Sequence, residues 1–146
     1  MIVEKRIKDF YEKGLGLFIH YGPYVQYEHG EWAMKLRNMD PDLYEKKALE
    51  CSYSSFCADN LVKAAKAAGA RYLTFTARHH DGFSMYDTRG LSEYDVMHTP
   101  GGRDILKEWI DACHANDILP FVYHTTLDWH HKDFENNFKE YLKYLR

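Results

Sequence analysis

Nine histidines and twelve tyrosines stand among the 146 residues, and several of them sit where chain direction changes. His20 closes the apolar run Leu15-Gly16-Leu17-Phe18-Ile19. His79-His80-Asp81-Gly82 follows a second apolar run, and Tyr123 closes a third. Glu31-Trp32 and Asp128-Trp129-His130-His131 lie in the polar stretches between. Neutral imidazoles and phenols each pair a flat apolar body with a hydrogen-bonding tip, and an indole face packs on C–H surfaces. Such an inventory suits a polar, uncharged ligand such as a sugar. A second chemistry stays open, because His79, His80, His124, His130, His131 and Asp81 are all potential metal ligands. Against it, neighbours on an extended chain point to opposite faces, so His79-His80 is a poor chelating pair. No H-E-x-x-H or H-x-H spacing occurs either. The expectation is a site with no metal and no cofactor.

The elements that must position these residues read as alternating helix and strand. An opening helix runs from about Ile2 to Lys13, with Val3, Ile7, Phe10 and Tyr11 on one face and Gly14 as its stop. The run from Leu15 to His20 reads as a buried strand that Gly22-Pro23 ends. A segment rich in Tyr, Gly and charge follows, with a short helix that Asp40 can cap and Pro41 can start. Ser54 or Ser55 is placed to cap the next helix, which carries Leu61, Ala64, Ala65 and Ala68 and stops at Gly69. Arg71–Ala77 is a second buried strand, and a helix from about Asp104 to Ala115 aligns Ile105, Leu106, Trp109, Ile110 and Cys113. Ile118–Tyr123 is the third strand. A last helix carries Phe134, Phe138, Tyr141, Leu142 and Leu145 at helical spacing.

Such alternation predicts an α/β fold of parallel strands, with its chemistry gathered beyond the strands' C-terminal ends. No G-x-G-x-x-G lies between a strand and a helix, so the units read as barrel-type βα units, in one domain spanning 1–146. A closed (β/α)8 barrel takes about 250 residues. Three βα units and an N-terminal helix therefore amount to a partial TIM barrel, whose sheet edges and inner face need covering. A homo-oligomer or a complementing barrel half is the expected remedy.

Composition narrows the setting. The chain is 45% hydrophobic and 16% aromatic with a formal net charge of -3, which excludes a disordered segment. Lys and Arg are scattered, which argues against nucleic acid. No apolar run reaches the roughly 20 residues of a membrane span, and no signal-peptide pattern is visible. Three cysteines without a C-x-x-C pair point to a reducing, cytoplasmic location.

Five blocks then carry a resemblance. Phe18-Ile19-His20-Tyr21-Gly22-Pro23-Tyr24, Gly30-Glu31-Trp32, Ala77-Arg78-His79-His80-Asp81-Gly82-Phe83 and Leu127-Asp128-Trp129-His130-His131 resemble the N-terminal signature blocks of the α-L-fucosidases, glycoside hydrolase family 29. Pro100-Gly101-Gly102-Arg103-Asp104 is similar to a further family segment. The resemblance spans essentially the whole chain. It implies that His20, Trp32, His79, His80 and Tyr123 contact fucose. It also implies a retaining mechanism, in which an Asp attacks the anomeric carbon and a Glu or Asp protonates the leaving group. Those two carboxyl groups need to stand about 5–5.5 Å apart. In the family the nucleophile follows a fourth strand and the acid/base lies later still, so the resemblance assigns no catalytic residue here. Tyr21, Arg78 and His124 depart from the family's usual Trp, Lys and Ser.

The expected function is thus a fucosidase-like half-barrel that self-associates, keeps part of a fucose pocket and is inactive alone. Fucose or fucoside affinity is expected to be millimolar or absent. One alternative is the N-terminal piece of a split α-L-fucosidase, active when complemented; another is a His-rich metal-dependent enzyme. Asp81 reads as a turn residue, Glu31 as a loop carboxylate and Asp128 as a brace for its loop. Trp109 and Cys113 read as core. Of His79 and His80, one is expected to face inward and the other to bond backbone.

Overall fold

A computed structural model describes residues 2–145, the side chains of Ile2 and Val3 excepted. Three strands, β1 (Gly16–Ile19), β2 (Tyr72–Arg78) and β3 (Leu119–His124), form one parallel sheet in the order β1-β2-β3. The helices are α1 (Ile2–Tyr11), α2 (Ala33–Leu36), α3 (Pro41–Glu50), α4 (Ala58–Ala67), α5 (Ile105–Ala115), α6 (Lys132–Asn136) and α7 (Phe138–Tyr144). This is a mixed α/β architecture, as the alternation of patterns predicts.

Alternation along β2 divides the sheet's two faces. Leu73 and Phe75 turn to one side, where they meet Val62 and Ala65 of α4 and Ile105, Trp109 and Cys113 of α5 in the main core. The Phe75 and Trp109 rings stack with centroids 5.2 Å apart. On the other side Phe18, Thr74, Phe121 and Tyr123 share a face with Tyr72 by register. Phe10 of α1 covers the lower part of this face, 5.0 Å from the Tyr72 ring and 5.5 Å from Phe121. Gly16 lies opposite Tyr72, and a Cβ there would fall 2.1 Å from that ring. Only glycine lets the ring lie flat across β1.

Three expectations need correcting. β1 reads as a buried strand, yet Leu17 and Phe18 are 44% and 48% exposed, as are Phe121 and Val122 of β3 at 37% and 48%. Burial on both faces belongs to β2 because β2 alone has a strand on each side. The helix before β2 is not capped by Ser54 or Ser55: α4 starts at Ala58 behind Cys57, with no side-chain cap. The last helix is two, since Asn137 leaves helical geometry at φ −151° and ψ 65° and separates α6 from α7. Leucine and aromatic spacing continues across that break, which is why periodicity reads through it. Val3, placed on the apolar face of α1, lies outside the described side chains.

The cap at Asp40 forms as expected, its Oδ1 accepting from Leu43 N at 2.9 Å. Asp104 starts α5 in the same way, with Oδ1 accepting from Lys107 N at 2.8 Å.

Candidate functional site

All three strands deliver their polar ends to one side. The Thr76 hydroxyl accepts from Tyr21 N at 3.0 Å and donates to Tyr21 O at 3.1 Å, which pins the segment after β1 onto β2. Its proton being committed, the Tyr24 hydroxyl is the donor in the 3.1 Å contact between the two. The Tyr24 ring in turn meets the His79 ring edge-on at 5.8 Å. One residue beyond, the β2–β3 register shifts between Thr76 and Arg78, a bulge of the kind that re-aims side chains beside sites.

The five residues singled out in the sequence come together. His20 lies against Phe18 (ring centroids 4.4 Å) and His79 (5.6 Å), and His79 stacks on Tyr123 at 5.6 Å with planes 29° apart. His79 and His80 are 4.3 Å apart. His80 meets Trp32 at 5.5 Å and Trp129 at 5.2 Å, and the two indoles are 5.1 Å apart. The result is a continuous aromatic wall with imidazole nitrogens set into it.

Adjacent histidines share this wall because the chain leaves strand geometry at His79 and turns at His80-Asp81. Strand alternation, which would send them to opposite faces, therefore stops at Arg78. Neither ring takes the backbone partner expected for one of the pair. His80 Nδ1 instead bonds the Thr125 hydroxyl at 2.7 Å, and that hydroxyl also accepts from Leu127 N at 3.1 Å. Buried His79 Nδ1 has no partner among the described residues. Thr125 carries no sequence signal that separates it from any other loop threonine.

Glu31 belongs with these histidines, although its sequence reading is only a loop carboxylate. One ligand atom each of His20, Glu31 and His79 lies within 4.8 Å of the others. Trp32, its neighbour in sequence, lies on the same wall. Two imidazoles and a carboxylate converging on one point can grip a cation or a single hydroxyl group. Burial sets the proton state: it pushes His79 down to about 4, with His80 and His20 adding to the effect, and also lowers His80. Both rings are neutral at neutral pH, each offering one donor and one acceptor.

The loops that carry the wall are locked from behind. Arg78 and Asp128 form a fully buried ion pair, and Arg78 Nε donates to Gly82 O at 3.0 Å. Asp128 Oδ1 accepts from His130 N at 2.9 Å and His131 N at 2.8 Å, while Trp129 N donates to His80 O at 2.8 Å. Asp81 accepts from Tyr44 OH at 2.8 Å and from Phe83 N at 3.2 Å, and burial raises it to about 6. Asp81 and Asp128 thus spend their oxygens on structure, as their sequence readings have it. Gly82, at φ +79° and with Asp128 Oδ1 only 2.6 Å from where a Cβ would sit, closes the turn. Trp109 and Cys113 are buried in the core.

Comparison with known proteins identifies the family. The family model for alpha-L-fucosidase matches residues 3–144. Tissue alpha-L-fucosidase of Bos taurus is 27% identical over 150 residues, covering 89% of this chain and 32% of its own length. Alpha-L-fucosidase isoenzyme 1 of Paenibacillus thiaminolyticus superposes with a TM-score of 0.89 at 33% identity, over 97% of this chain and 38% of that one. AlfC of Lactobacillus casei, solved in complex with alpha-L-fucose product, gives 0.76 at 30% identity over 88% and 44%. The chain spans 32% to 44% of the length of these three relatives. Matched along nearly all of its sequence, the chain belongs to the alpha-L-fucosidase family.

Proposed function

We propose that the wall of His20, Trp32, His79, His80 and Tyr123, with Glu31, is the sugar-contacting part of an α-L-fucoside site. The observation that carries this reading is the convergence of His20, Glu31 and His79 within 4.8 Å beside an indole-lined surface. The imidazoles and one carboxylate meet a hydroxyl group as donors and acceptors, and Trp32 takes the C–H face of the pyranose. The AlfC relative, whose solved complex holds fucose, supports the ligand class.

Bond cleavage with retention requires two carboxyl groups about 5–5.5 Å apart. Among the described residues the cluster supplies one, Glu31; Asp81 and Asp128 are committed behind it. The chain by itself is therefore a binding surface without hydrolytic function. Its sheet forms part of a (β/α)8 barrel, and the half-exposed Leu17, Phe18, Phe121 and Val122 are completed by neighbouring strands. Those strands come from a second copy or from a complementing barrel half, which would bring the bond-breaking carboxylates.

Saturation-transfer NMR tests the sugar reading. L-Fucose gives a transfer signal in the millimolar range, about 4 kcal/mol or less of binding, and His79→Ala abolishes it. Equal signals from fucose and an unrelated hexose, both surviving His79→Ala, would overturn the reading.

A further inference from the structure

Most imidazoles outside the wall are taken. His98 pairs with Asp95 and His130 with Glu45, each at 2.7 Å. His124 bonds the Tyr86 hydroxyl at 3.1 Å, and His131 Nδ1 accepts from Asp133 N at 3.2 Å. Within the wall, Thr125 holds His80. His20, Glu31 and His79 differ. Among the described residues they are the one group of three such side chains whose ligand atoms converge, all within 4.8 Å of one another. Buried His79 Nδ1 has no partner there, so binding an ion breaks no hydrogen bond at that atom. In the other pairs a carboxylate faces one imidazole; here it faces two.

Three backbone anchors set this convergence. Tyr21 N and O both bond the Thr76 hydroxyl, so His20 leaves β1 at a fixed place. Ala33 N donates to Gly30 O at 3.1 Å and closes a turn around Glu31 and Trp32. Gly82 N donates to His79 O at 3.0 Å, and the Tyr24, His80 and Tyr123 rings pack about the His79 ring. The three side chains come from distant segments, so no short spacing in the sequence announces them. Tetrahedral zinc, with nitrogen and oxygen donors at about 2.0–2.1 Å, holds those donors roughly 3.3 Å apart. Some inward closure is therefore needed. His20 is exposed and Glu31 half-buried, which leaves both room to make it. Burial holds His79 down to about 4, so its ring is unprotonated and able to coordinate at neutral pH.

We propose that His20, Glu31 and His79 form a three-ligand site for a divalent cation of the zinc class, its outer side left to water, and that this ion and a sugar exclude each other. Imidazole selects such ions over magnesium and calcium, which ask for oxygen donors. Glu31 offsets one of the ion's two positive charges, and the histidines add none. The metal site stands without the fucoside reading; the exclusion rests on it, because both ligands need the same side chains. An ion bound here blocks the wall and takes no part in bond cleavage.

Isothermal titration of the chain, prepared without a histidine tag, tests the site with zinc chloride. The expected result is one ion per chain with a dissociation constant below about 100 μM. Magnesium chloride should give no binding heat. His20→Ala, at an exposed position, and Glu31→Gln, which keeps the side chain's shape, should each weaken zinc by about tenfold or more. His130→Ala should leave zinc binding unchanged. The saturation-transfer signal of L-fucose should vanish at saturating zinc and return with EDTA. Zinc binding that is unchanged in the His20 and Glu31 variants is adventitious and overturns the site, while the fucose signal without zinc judges the sugar reading separately. Zinc binding lost in both variants, with no fucose signal in zinc-free protein, keeps the metal site and removes the fucoside reading. Zinc and fucose bound together without competition overturn the shared site. Absence of any zinc binding overturns the proposal whether or not fucose binds.

Discussion

Arg78 and Asp128 meet as an ion pair with both side chains shut off from solvent, and this pair joins the end of β2 to the loop after β3. His80 stands just beyond β2 and Trp129 on that loop, so the pair sets their spacing. Removing one partner of a buried pair leaves a bare charge in a dry place. Asp128→Ala or Arg78→Met should therefore each cost about 3–5 kcal/mol in denaturant unfolding. The double variant should cost well under the sum. Additive losses would show that the two residues act separately.

The Thr125 hydroxyl, held by Leu127 N, fixes how His80 presents its ring to the wall. Thr125→Val removes this bond at about 1 kcal/mol of stability. Imidazole nitrogen NMR should then show the His80 tautomer mixture change, and Thr125→Ser should restore it. An unchanged His80 spectrum in the valine variant would mean that something else orients the ring.

Acid stability carries two opposed contributions. His79 is lowered to about 4 in the fold, so its stabilising part is present above its ordinary 6.5 and is lost as pH falls toward 4. Asp81 is raised to about 6, so its part is present below its ordinary 3.8 and is lost as pH rises toward 6. Each slope partly hides the other between pH 4 and 6. Asp81→Asn should steepen the loss of stability on acidification, by on the order of 2 to 3 kcal/mol across that window. His79→Gln should flatten it. Urea midpoints at pH 4, 5 and 6.5 decide the matter, and parallel curves for all three proteins would contradict the assignments.

The half-exposed Phe18, Phe121, Leu17 and Val122 predict association. Light scattering of the purified chain should report a mass above one copy, reduced toward the monomer by Val122→Lys on β3. A monodisperse monomer at high concentration would leave the sheet's covering unexplained.

Much of this site is legible in the sequence because strands end where apolar runs end. His20, His79 and Tyr123 each stand at the end of such a run, and the parallel sheet brings those ends together without further information. The cap at Asp40 is legible for a local reason, a side chain bonding an amide three residues on. What escapes depends on distant neighbours. Thr125 matters only because His80 arrives beside it from another loop. Glu31 matters because the segment after β1 folds back over the sheet. The exposure of β1 is invisible in its own composition, since a strand cannot record which side lacks a partner; only the count of three strands tells that the sheet's edges need covering. The break at Asn137 hides because its flanking residues keep helical spacing.

Hydrolysis of a chromogenic aryl α-L-fucoside by the purified chain alone is the most direct measurement. If Glu31 is the only carboxylate at a wall made for binding, the rate stays at background at every pH tried. Steady release of the chromophore, lost in Glu31→Gln or His79→Ala, would show that this chain already contains a working pair of catalytic groups.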